Sequence, residues 1–288
     1  MTRLAYVDGR FVPIAARAIA IEDRGLQFAH GVYEVIKAVG GRLVDLDRHL
    51  DRLERSLSAA RIPLPTSRTA LALLLEEALR RNRLRDAAIY LQIDRGVAPR
   101  NHLWSEDLRP TVIVTVRPAR FPTAEEQAQG VAVITLPDER WARCDIKSVS
   151  LLPNVLAKQK AAEAGCREAW LVDRDGRITE GASSNAWIVD AEGVLRTHPA
   201  GPAILGGVTR DVVLELARAH AIPLAERAFT TAEALAAREA FLTSTTSLVL
   251  PVTRIDGRPV GDGRPGPVTE RLARLYAAHA GLVIAAAG

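Results

Sequence analysis

Lys147 is one of only four lysines among the 38 basic residues of this chain; the others are Lys37, Lys158 and Lys160. A desolvated lysine amine forms Schiff bases and titrates near neutral pH, whereas a guanidinium does neither. Lys147 stands among apolar neighbours in the segment Cys144-Asp-Ile-Lys-Ser-Val-Ser-Leu-Leu-Pro153, before an expected helix. One interpretation is a strand-end lysine that reaches solvent. The functional alternative is an amine with a lowered pKa, suited to imine formation with an aldehyde.

Two segments rich in small and hydroxylated residues are candidates for anion binding. Glu180 lies in Ile178-Thr-Glu-Gly-Ala-Ser-Ser-Asn-Ala-Trp187, where small side chains let backbone amides approach an anion. A carboxylate beside such a turn is unusual unless it faces a cation. Gly206-Gly-Val-Thr-Arg210 begins an expected helix, with Thr209 in the cap region, and helix starts bind anions. An ordinary polar turn and an ordinary capped helix are the alternatives.

The glycine spacing there is close to that of a P-loop without completing one. Gly201 and Gly206 have the required separation, but Gly207 occupies the position of the essential lysine. A nucleotide-phosphate site is therefore disfavoured. The run Thr243-Ser-Thr-Thr-Ser247, at the end of an expected strand, either supplies further phosphate-binding hydroxyls or forms a polar turn.

A third candidate is the loop Arg95-Gly-Val-Ala-Pro-Arg-Asn-His102, which follows an expected strand. Arg100 and His102 lie two residues apart after Pro99 and are able to form a clamp for a carboxylate, unless the loop is simply exposed. Tyr33 lies where a glycine-marked bend enters a strand, and a tyrosine in that position usually packs in a core.

Composition excludes several classes of protein. Hydrophobic residues make up 48% and charged residues 25%, as in ordinary globular proteins, and no apolar run reaches membrane-spanning length. The N-terminus lacks the features of a signal peptide, so we expect a cytoplasmic protein. Cys144 and Cys166 suit neither a disulfide framework nor a metal site. The net charge is +4, but basic and acidic residues are interleaved, which disfavours nucleic-acid binding.

Hydrophobic periodicity and turn residues predict two mixed α/β domains, residues 1–119 and a larger domain, 120–288, that carries Lys147. A proline-containing linker is expected over 117–126, and a hairpin around Asp8-Gly9. The predicted helices are 47–60, 69–83, 153–164, 209–220 and 267–279. The predicted strands are 88–94, 111–117, 131–136, 169–172, 185–189 and 239–243.

Taken in order, these segments resemble the fold-type IV pyridoxal-5′-phosphate (PLP) enzymes, from near residue 4 to about 280. The small-domain elements are Glu22-Asp-Arg-Gly-Leu-Gln-Phe, Gly31-Val-Tyr-Glu and Arg48-His-Leu-Asp-Arg-Leu. The cofactor elements are Cys144-Asp-Ile-Lys-Ser, Thr179-Glu-Gly-Ala-Ser-Ser-Asn, Gly207-Val-Thr-Arg and Thr243-Ser-Thr-Thr-Ser. Within the family, the chain is most similar to the D-amino-acid aminotransferases.

The resemblance implies a role for each matching residue. Lys147 would form the internal aldimine and move the proton between Cα of the substrate and the cofactor. Glu180 would pair with the pyridine nitrogen and keep it protonated. The other implied cofactor-binding residues are Arg52, Val208, Thr209 and Thr245 at the phosphate, Leu205 against the ring, and Ser183 and Ser184.

The same resemblance implies that Tyr33, Arg100 and His102 hold the substrate α-carboxylate, with Thr246 also at the substrate. The Arg-x-His loop crosses from the neighbouring subunit in similar enzymes, which implies a homodimer. The pair favours D-amino acids with 2-oxo acids as partners, since a fixed carboxylate sets the face of Cα presented to Lys147. Ala182, His30 and Gly206 depart from the family pattern, and Ala182 puts one phosphate contact in doubt.

Other functions remain open at this stage. Branched-chain L-aminotransferases, (R)-amine transaminases and 4-amino-4-deoxychorismate lyases share the fold. The intact Arg100-x-His102 pair argues against the first and the last of these. A non-catalytic or nucleotide-binding α/β protein is supported only by the imperfect P-loop and the basic pI.

Overall fold

The computed structural model describes residues 3–282, which divide into two compact units. The first unit contains residues 3–120 and the short segment 146–151. The second contains residues 121–145 and 152–282. Each unit has its own sheet and its own buried core.

The first unit is built on one antiparallel sheet. Its strands are β1 (Leu4–Val7), β2 (Arg10–Pro13), β3 (Gly31–Val39), β4 (Arg42–Leu43), β5 (Ala87–Asp94) and β6 (Thr111–Pro118), and its helices are α1 (Arg24–Phe28), α2 (Leu46–Ala59) and α3 (Arg68–Asn82). The strand order is β2-β1-β6-β5-β3-β4. Alternate residues of β5 are buried, because one face of the sheet packs against the leucine stripes of α2 and α3.

The hairpin between β1 and β2 has the predicted turn. Asp8 and Gly9 both have positive φ, 41° and 87°, as a two-residue turn of this hand requires.

The second unit contains a ten-stranded mixed sheet. Its strands are β7 (Val131–Pro137), β8 (Glu168–Val172), β9 (Arg177–Gly181), β10 (Asn185–Val189), β11 (Leu195–Thr197), β12 (Leu224–Glu226), β13 (Phe229–Thr230), β14 (Glu239–Ser244), β15 (Leu248–Ile255) and β16 (Arg258–Pro259). The order is β12-β11-β10-β14-β15-β7-β8-β9-β13, and β16 pairs with β15. Its helices are α4 (Ala124–Gln129), α5 (Leu152–Glu163), α6 (Val208–Ala219), α7 (Thr231–Leu235) and α8 (Pro267–Ala280).

The predicted mixed α/β class is confirmed, and each long predicted helix or strand begins and ends within two residues of the observed one. The linker prediction was partly wrong. Residues 124–129 form α4, whose start is fixed by a capping box in which Thr123 and Glu126 bond each other's backbone amide.

The position of Lys147 also differs from the prediction, which placed it in the second domain. Residues 146–151 belong to the first unit. Ile146 is part of that unit's core, and Ser148 forms an isolated bridge with Val32 on β3. Residues 146–151 thus lie between two segments of the second unit in sequence but pack on the sheet of the first unit.

Candidate active-site residues

Lys147 is fixed at its backbone and has its amine against an aromatic face. Its carbonyl accepts a 2.9 Å hydrogen bond from the amide of Tyr33, and its own amide donates to Ser56 Oγ at 3.2 Å. Its Nζ lies 4.1 Å from the centroid of the Tyr33 ring, a cation–π distance. Tyr33 in turn stacks on Tyr90, with ring centroids 5.4 Å apart. Among residues 3–282 Lys147 forms no ion pair, so no carboxylate salt bridge competes with its reaction at a carbonyl.

Arg52 is held on α2 by a buried carboxylate. Glu34, on β3, is fully buried and accepts two 2.7 Å hydrogen bonds from Arg52, one from Nε and one from Nη2. His49 Nδ1 lies 2.8 Å from the same carboxylate. Burial by itself would raise the pKa of Glu34, but Arg52 and then His49 hold that pKa well below its usual range. The bidentate geometry fixes the position of the guanidinium.

Sequence analysis did not assign roles to Glu34 and His49. The spacing of polar residues on α2 could have indicated them. The helix buries His49, Arg52 and Ser56, which recur at helical spacing beside the leucine stripe. Polar residues at buried helical positions require partners, and Glu34 is the acid that supplies one.

The predicted carboxylate clamp, Arg100 and His102, is exposed and gathered around one ring. The Arg100 guanidinium lies 4.6 Å from the centroid of Phe28, and the His102 ring lies 5.3 Å from it. Arg100 Nη1 also donates to the carbonyl of Gln27 at 3.2 Å. The two side chains therefore share one aromatic support, Phe28 on α1.

In the second unit, Glu180 is a buried carboxylate at the end of β9. Its Oε1 accepts from the amide of Leu205 at 3.1 Å and forms an ion pair with Arg140. Its Oε2 accepts from Asn185 Nδ2 at 2.9 Å. Three donors from different segments thus fix the orientation of this carboxylate.

Arg140 was not identified from the sequence, since its Asp138-Glu-Arg surroundings carry no distinctive pattern. It joins Glu180 to Asp138, whose Oδ2 lies 2.7 Å from Arg140 Nη2. Burial would lower the pKa of Arg140, but the two carboxylates raise it above its usual value. Asp138 is affected in the opposite sense. Burial favours its neutral acid, yet Arg140 and the Thr179 hydroxyl keep its pKa lowered.

Helix α6, in the second unit, begins without a side-chain cap. Its N-cap is Gly207, which has no side chain to cap the first-turn amides of Val208 and Thr209. A Cβ at Gly207 would come within 2.1 Å of Asn185 Oδ1, so only glycine allows this close approach. A helix start with uncapped amides is suited to binding an anion such as phosphate.

Thr209 does not act as the cap. Its hydroxyl is buried and lies 3.2 Å from the hydroxyl of Tyr276. The amide of Thr209, rather than its hydroxyl, is the group left for an anion. Thr245 and Thr246 are half-buried in the turn between β14 and β15, which lies beside Asn185 because Asn185 pairs with Thr243.

The hydroxyls of Ser183 and Ser184 have a different partner in this structure. Both donate to Oε2 of the buried Glu168, at 2.6 and 3.1 Å. These serines hold the turn before β10 in place, and their predicted role at the cofactor stays a prediction.

Metal-binding clusters and membrane-spanning helices are both absent from the part of the chain that the structure describes. Residues 3–282 contain no group of three or more histidine, cysteine or acidic side chains placed to hold a metal ion. No helix in that range has the length and apolar character needed to cross a membrane.

Comparison with known proteins identifies the family of the chain. The family model for class IV amino-transferases matches residues 31–255. A D-alanine aminotransferase of Bacillus licheniformis is 46% identical over 265 residues, which cover 92% of this chain and 93% of that protein. A D-alanine aminotransferase of Listeria monocytogenes is 40% identical, covering 94% and 93%.

Solved structures show the same fold. The branched-chain amino acid aminotransferase of Escherichia coli superposes with a TM-score of 0.90 at 26% identity, covering all of this chain and 98% of that one. The branched-chain aminotransferase of Thermoproteus uzoniensis, solved with norvaline, gives 0.86 at 27% identity and covers 98% and 96%. A third branched-chain aminotransferase, solved with pyridoxamine 5′-phosphate, gives 0.89 at 27% identity and covers 98% and 95%. The family model, these relatives and the shared fold together identify a PLP-dependent transaminase. The chain belongs to the class IV aminotransferase family.

Proposed function

We propose that this protein transfers an amino group between a D-amino acid and a 2-oxo acid, as in the conversion of D-alanine and 2-oxoglutarate to pyruvate and D-glutamate. The observation that carries the proposal is the 46% identity to a D-alanine aminotransferase over nearly the whole chain. The Arg100 and His102 pair supports it, because a guanidinium and an imidazole on one ring both offer N–H donors to a carboxylate.

The residues present suit PLP as the cofactor. The uncapped amides of Val208 and Thr209 offer donors for its phosphate, in a place where a Cβ on Gly207 would collide with Asn185. Arg52 and Thr245 are the other proposed phosphate ligands, and Leu205 is proposed to pack on the ring. Glu180 has the charge needed to keep the ring nitrogen protonated. When bound, PLP supplies an aldehyde for amine capture and a pyridinium ring that accepts electrons.

Lys147 is the proposed base and acid of the reaction. Lys147 would hold PLP through its amine, and its Nζ would carry the proton between Cα of the amino acid and the C4′ carbon of the cofactor. Tyr33 holds the amine against its ring and limits the directions from which Nζ approaches. Tyr33, Arg100, His102 and Thr246 are proposed to fix the substrate, and the fixed carboxylate determines the handedness of the amino acid.

We also propose a cytoplasmic homodimer, in which the loop carrying Arg100 and His102 serves the neighbouring subunit. Large apolar side chains near this loop support an interface, since Leu103 is 78% exposed and Leu26 is 67% exposed. The free thiols of Cys144 and Cys166 fit a reducing compartment. Sedimentation at several concentrations tests the dimer, and a monomer at every concentration would contradict it.

The test of the reaction is the visible spectrum of the PLP-loaded protein. We expect its absorption band to shift on addition of D-alanine and to return on addition of 2-oxoglutarate. Borohydride reduction followed by peptide mapping should place a pyridoxyl group on Lys147. Loaded protein that is unmodified at Lys147 would contradict the proposed role of this lysine.

The branched-chain L-aminotransferase function has one observation in its favour, the fold match to enzymes of that name. Those structures are 26% and 27% identical to this chain, well below the D-alanine aminotransferases. A band that shifts with L-leucine but with no D-amino acid would decide for this alternative. A response to (R)-amines without a carboxylate would instead indicate a permissive clamp.

A further inference from the structure

The loop between β5 and β6 is fixed by two buried arginines that bind its backbone. This clamp loop, residues 95–110, contains Arg100 and His102. Arg95 is fully buried and donates to the carbonyls of Leu108 at 2.9 Å and Ser105 at 3.0 Å. Arg24, on α1, is 2% exposed and binds the other half of the loop.

Arg24 contacts the backbone at the clamp itself. Its Nη1 donates to the carbonyl of Asn101 at 2.6 Å, and its Nη2 donates to the carbonyl of His102 at 3.1 Å. Its guanidinium also lies 4.7 Å from the centroid of Phe28, the ring that supports both Arg100 and His102. One buried side chain therefore fixes the backbone of the clamp and packs on its aromatic support.

The buried charge of Arg24 is not part of a salt bridge in the described part of the chain. Over residues 3–282 Arg24 forms no ion pair, whereas Arg95 has Glu106 at 3.5 Å. Its Nε donates a 3.5 Å hydrogen bond to Nδ1 of His30. Holding a carbonyl requires only a neutral donor, so a buried guanidinium without a counter-ion adds positive potential at the clamp.

We propose that Arg24 is a positioning residue for the substrate carboxylate, acting by fixing the backbone of Asn101 and His102 and by adding an uncompensated positive charge beside the clamp. This inference rests on the proposed function and extends it. It predicts that Arg24 affects the binding of substrates that carry a carboxylate and leaves the reaction of simple amines unchanged.

The first experiment compares Arg24→Gln and Arg24→Lys with the wild-type holoenzyme on two substrates, D-alanine and (R)-1-phenylethylamine, in single-turnover half-reactions. For Arg24→Gln we expect the half-saturating D-alanine concentration to rise about tenfold or more, the usual effect of a lost charge-assisted hydrogen bond. The limiting rate should change little, and the rate with the amine should stay within about twofold. Arg24→Lys keeps the charge and should lie between wild type and Arg24→Gln.

The second experiment measures amide hydrogen exchange over the clamp loop. The amides of residues 100–104 should exchange faster in Arg24→Gln than in wild type. In Arg24→Lys their exchange should be slower than in Arg24→Gln. Leu75→Ala is the control, because Leu75 is fully buried in the first unit's core on α3 and lies outside the clamp loop. Leu75→Ala should lower the melting temperature. It should change neither the ratio of the half-reaction rates with D-alanine and with the amine nor the amide hydrogen exchange of the clamp loop.

The outcomes separate the two proposals. A wild-type enzyme that does not respond to D-alanine overturns the proposed function. If wild type responds, but Arg24→Gln slows D-alanine and the amine by the same factor, or leaves loop exchange unchanged, the role of Arg24 is overturned. A selective loss with the carboxylate substrate together with faster loop exchange supports it.

Discussion

In each unit a buried carboxylate–guanidinium pair holds a candidate site residue, and the two pairs have opposite arrangements. In the first unit the predicted ligand is the cation, Arg52, and Glu34 is its support. In the second unit the predicted ligand is the anion, Glu180, and Arg140 is its support. Neither support was identified from the sequence.

The difference lies in how the carboxylate oxygens are shared. Both oxygens of Glu34 bind Arg52, and His49 shares one of them, so this carboxylate is an anchor. The oxygens of Glu180 are divided between Arg140, the Leu205 amide and Asn185, so several segments hold it in one orientation. In each unit the buried ion pair thus fixes the orientation of the partner that is proposed to bind the ligand. Burying two charges has a desolvation cost, which the pair offsets only when its hydrogen bonds are well formed.

The largest effect on activity is expected for Glu180→Gln, which removes the anion proposed to keep the cofactor ring protonated. Loss of one preorganised electrostatic group costs about 100- to 1,000-fold in kcat. Steady-state turnover of D-alanine and 2-oxoglutarate measures it. Glu192→Gln, an exposed substitution in the turn before β11, is the matched control and should keep wild-type turnover. A kcat for Glu180→Gln close to that of wild type would sink the assigned role.

Glu34→Gln should produce the largest loss of stability. It leaves Arg52 buried without its charge partner, and breaking one side of a buried pair costs about 3–5 kcal/mol. Urea unfolding measures the change in free energy. Glu54→Gln, on the exposed side of α2, is the control and should stay within about 0.5 kcal/mol of wild type. A loss for Glu34→Gln as small as that of the control would mean that the pair is not an anchor.

Arg140→Lys should give a smaller effect, because Asn185 and the Leu205 amide still hold Glu180. Loss of a hydrogen bond to a charged group is worth about 1.5 kcal/mol or more, or roughly tenfold in kcat. A shift in the pH profile of the visible band would separate a change at Glu180 from simple destabilisation. Arg143→Lys, three residues away in an exposed pair with Asp145, should change neither quantity. Equal effects in the two variants would remove Arg140 from the site.

The sequence predicted the fold closely where local signals are strong. The stripe of Leu50, Leu53 and Leu57 predicted α2, and Asp8-Gly9 predicted the first turn. The family resemblance supplied Lys147 and Glu180 as residues, but it did not supply their partners. Arg140 reaches Glu180 across 40 positions of sequence, and no periodicity reports such a pair.

The two failures of local reasoning have physical causes. Prolines near residue 120 predicted a linker, but the Thr123 and Glu126 capping box starts a helix inside it. Lys147 was assigned to the second domain by its position in the chain, whereas its segment bonds to Tyr33 and Ser56 and belongs with them to the first unit. A short segment whose hydrogen bonds are non-local is placed by its partners, and those partners are not visible in its own residues.

The clearest contrast with Glu34 concerns Asp94 on the neighbouring strand β5. Both are buried acids of one sheet, but Asp94 has no guanidinium. Burial, with the nearby charge of Asp23, raises the pKa of Asp94 to about 7 in spite of two hydrogen bonds from Gln92. Gly25 and Gly31 pack directly against its carboxyl group, where a Cβ on either residue would collide with it.

The sign of the pH effect follows from which state holds the proton. Between pH 3.8 and about 7 the folded chain binds a proton at Asp94 that the unfolded chain has lost. The stabilisation is therefore complete below pH 3.8 and is lost as the pH rises to about 7. Asp94→Asn should remove this dependence and make the free energy of unfolding less steep by roughly 1 kcal/mol per pH unit over that interval. Asp51→Asn, an exposed change on α2, should keep the wild-type slope. If Asp94→Asn also keeps that slope, Asp94 is ionised in the folded protein, and the contrast between an acid with a cation and an acid without one disappears.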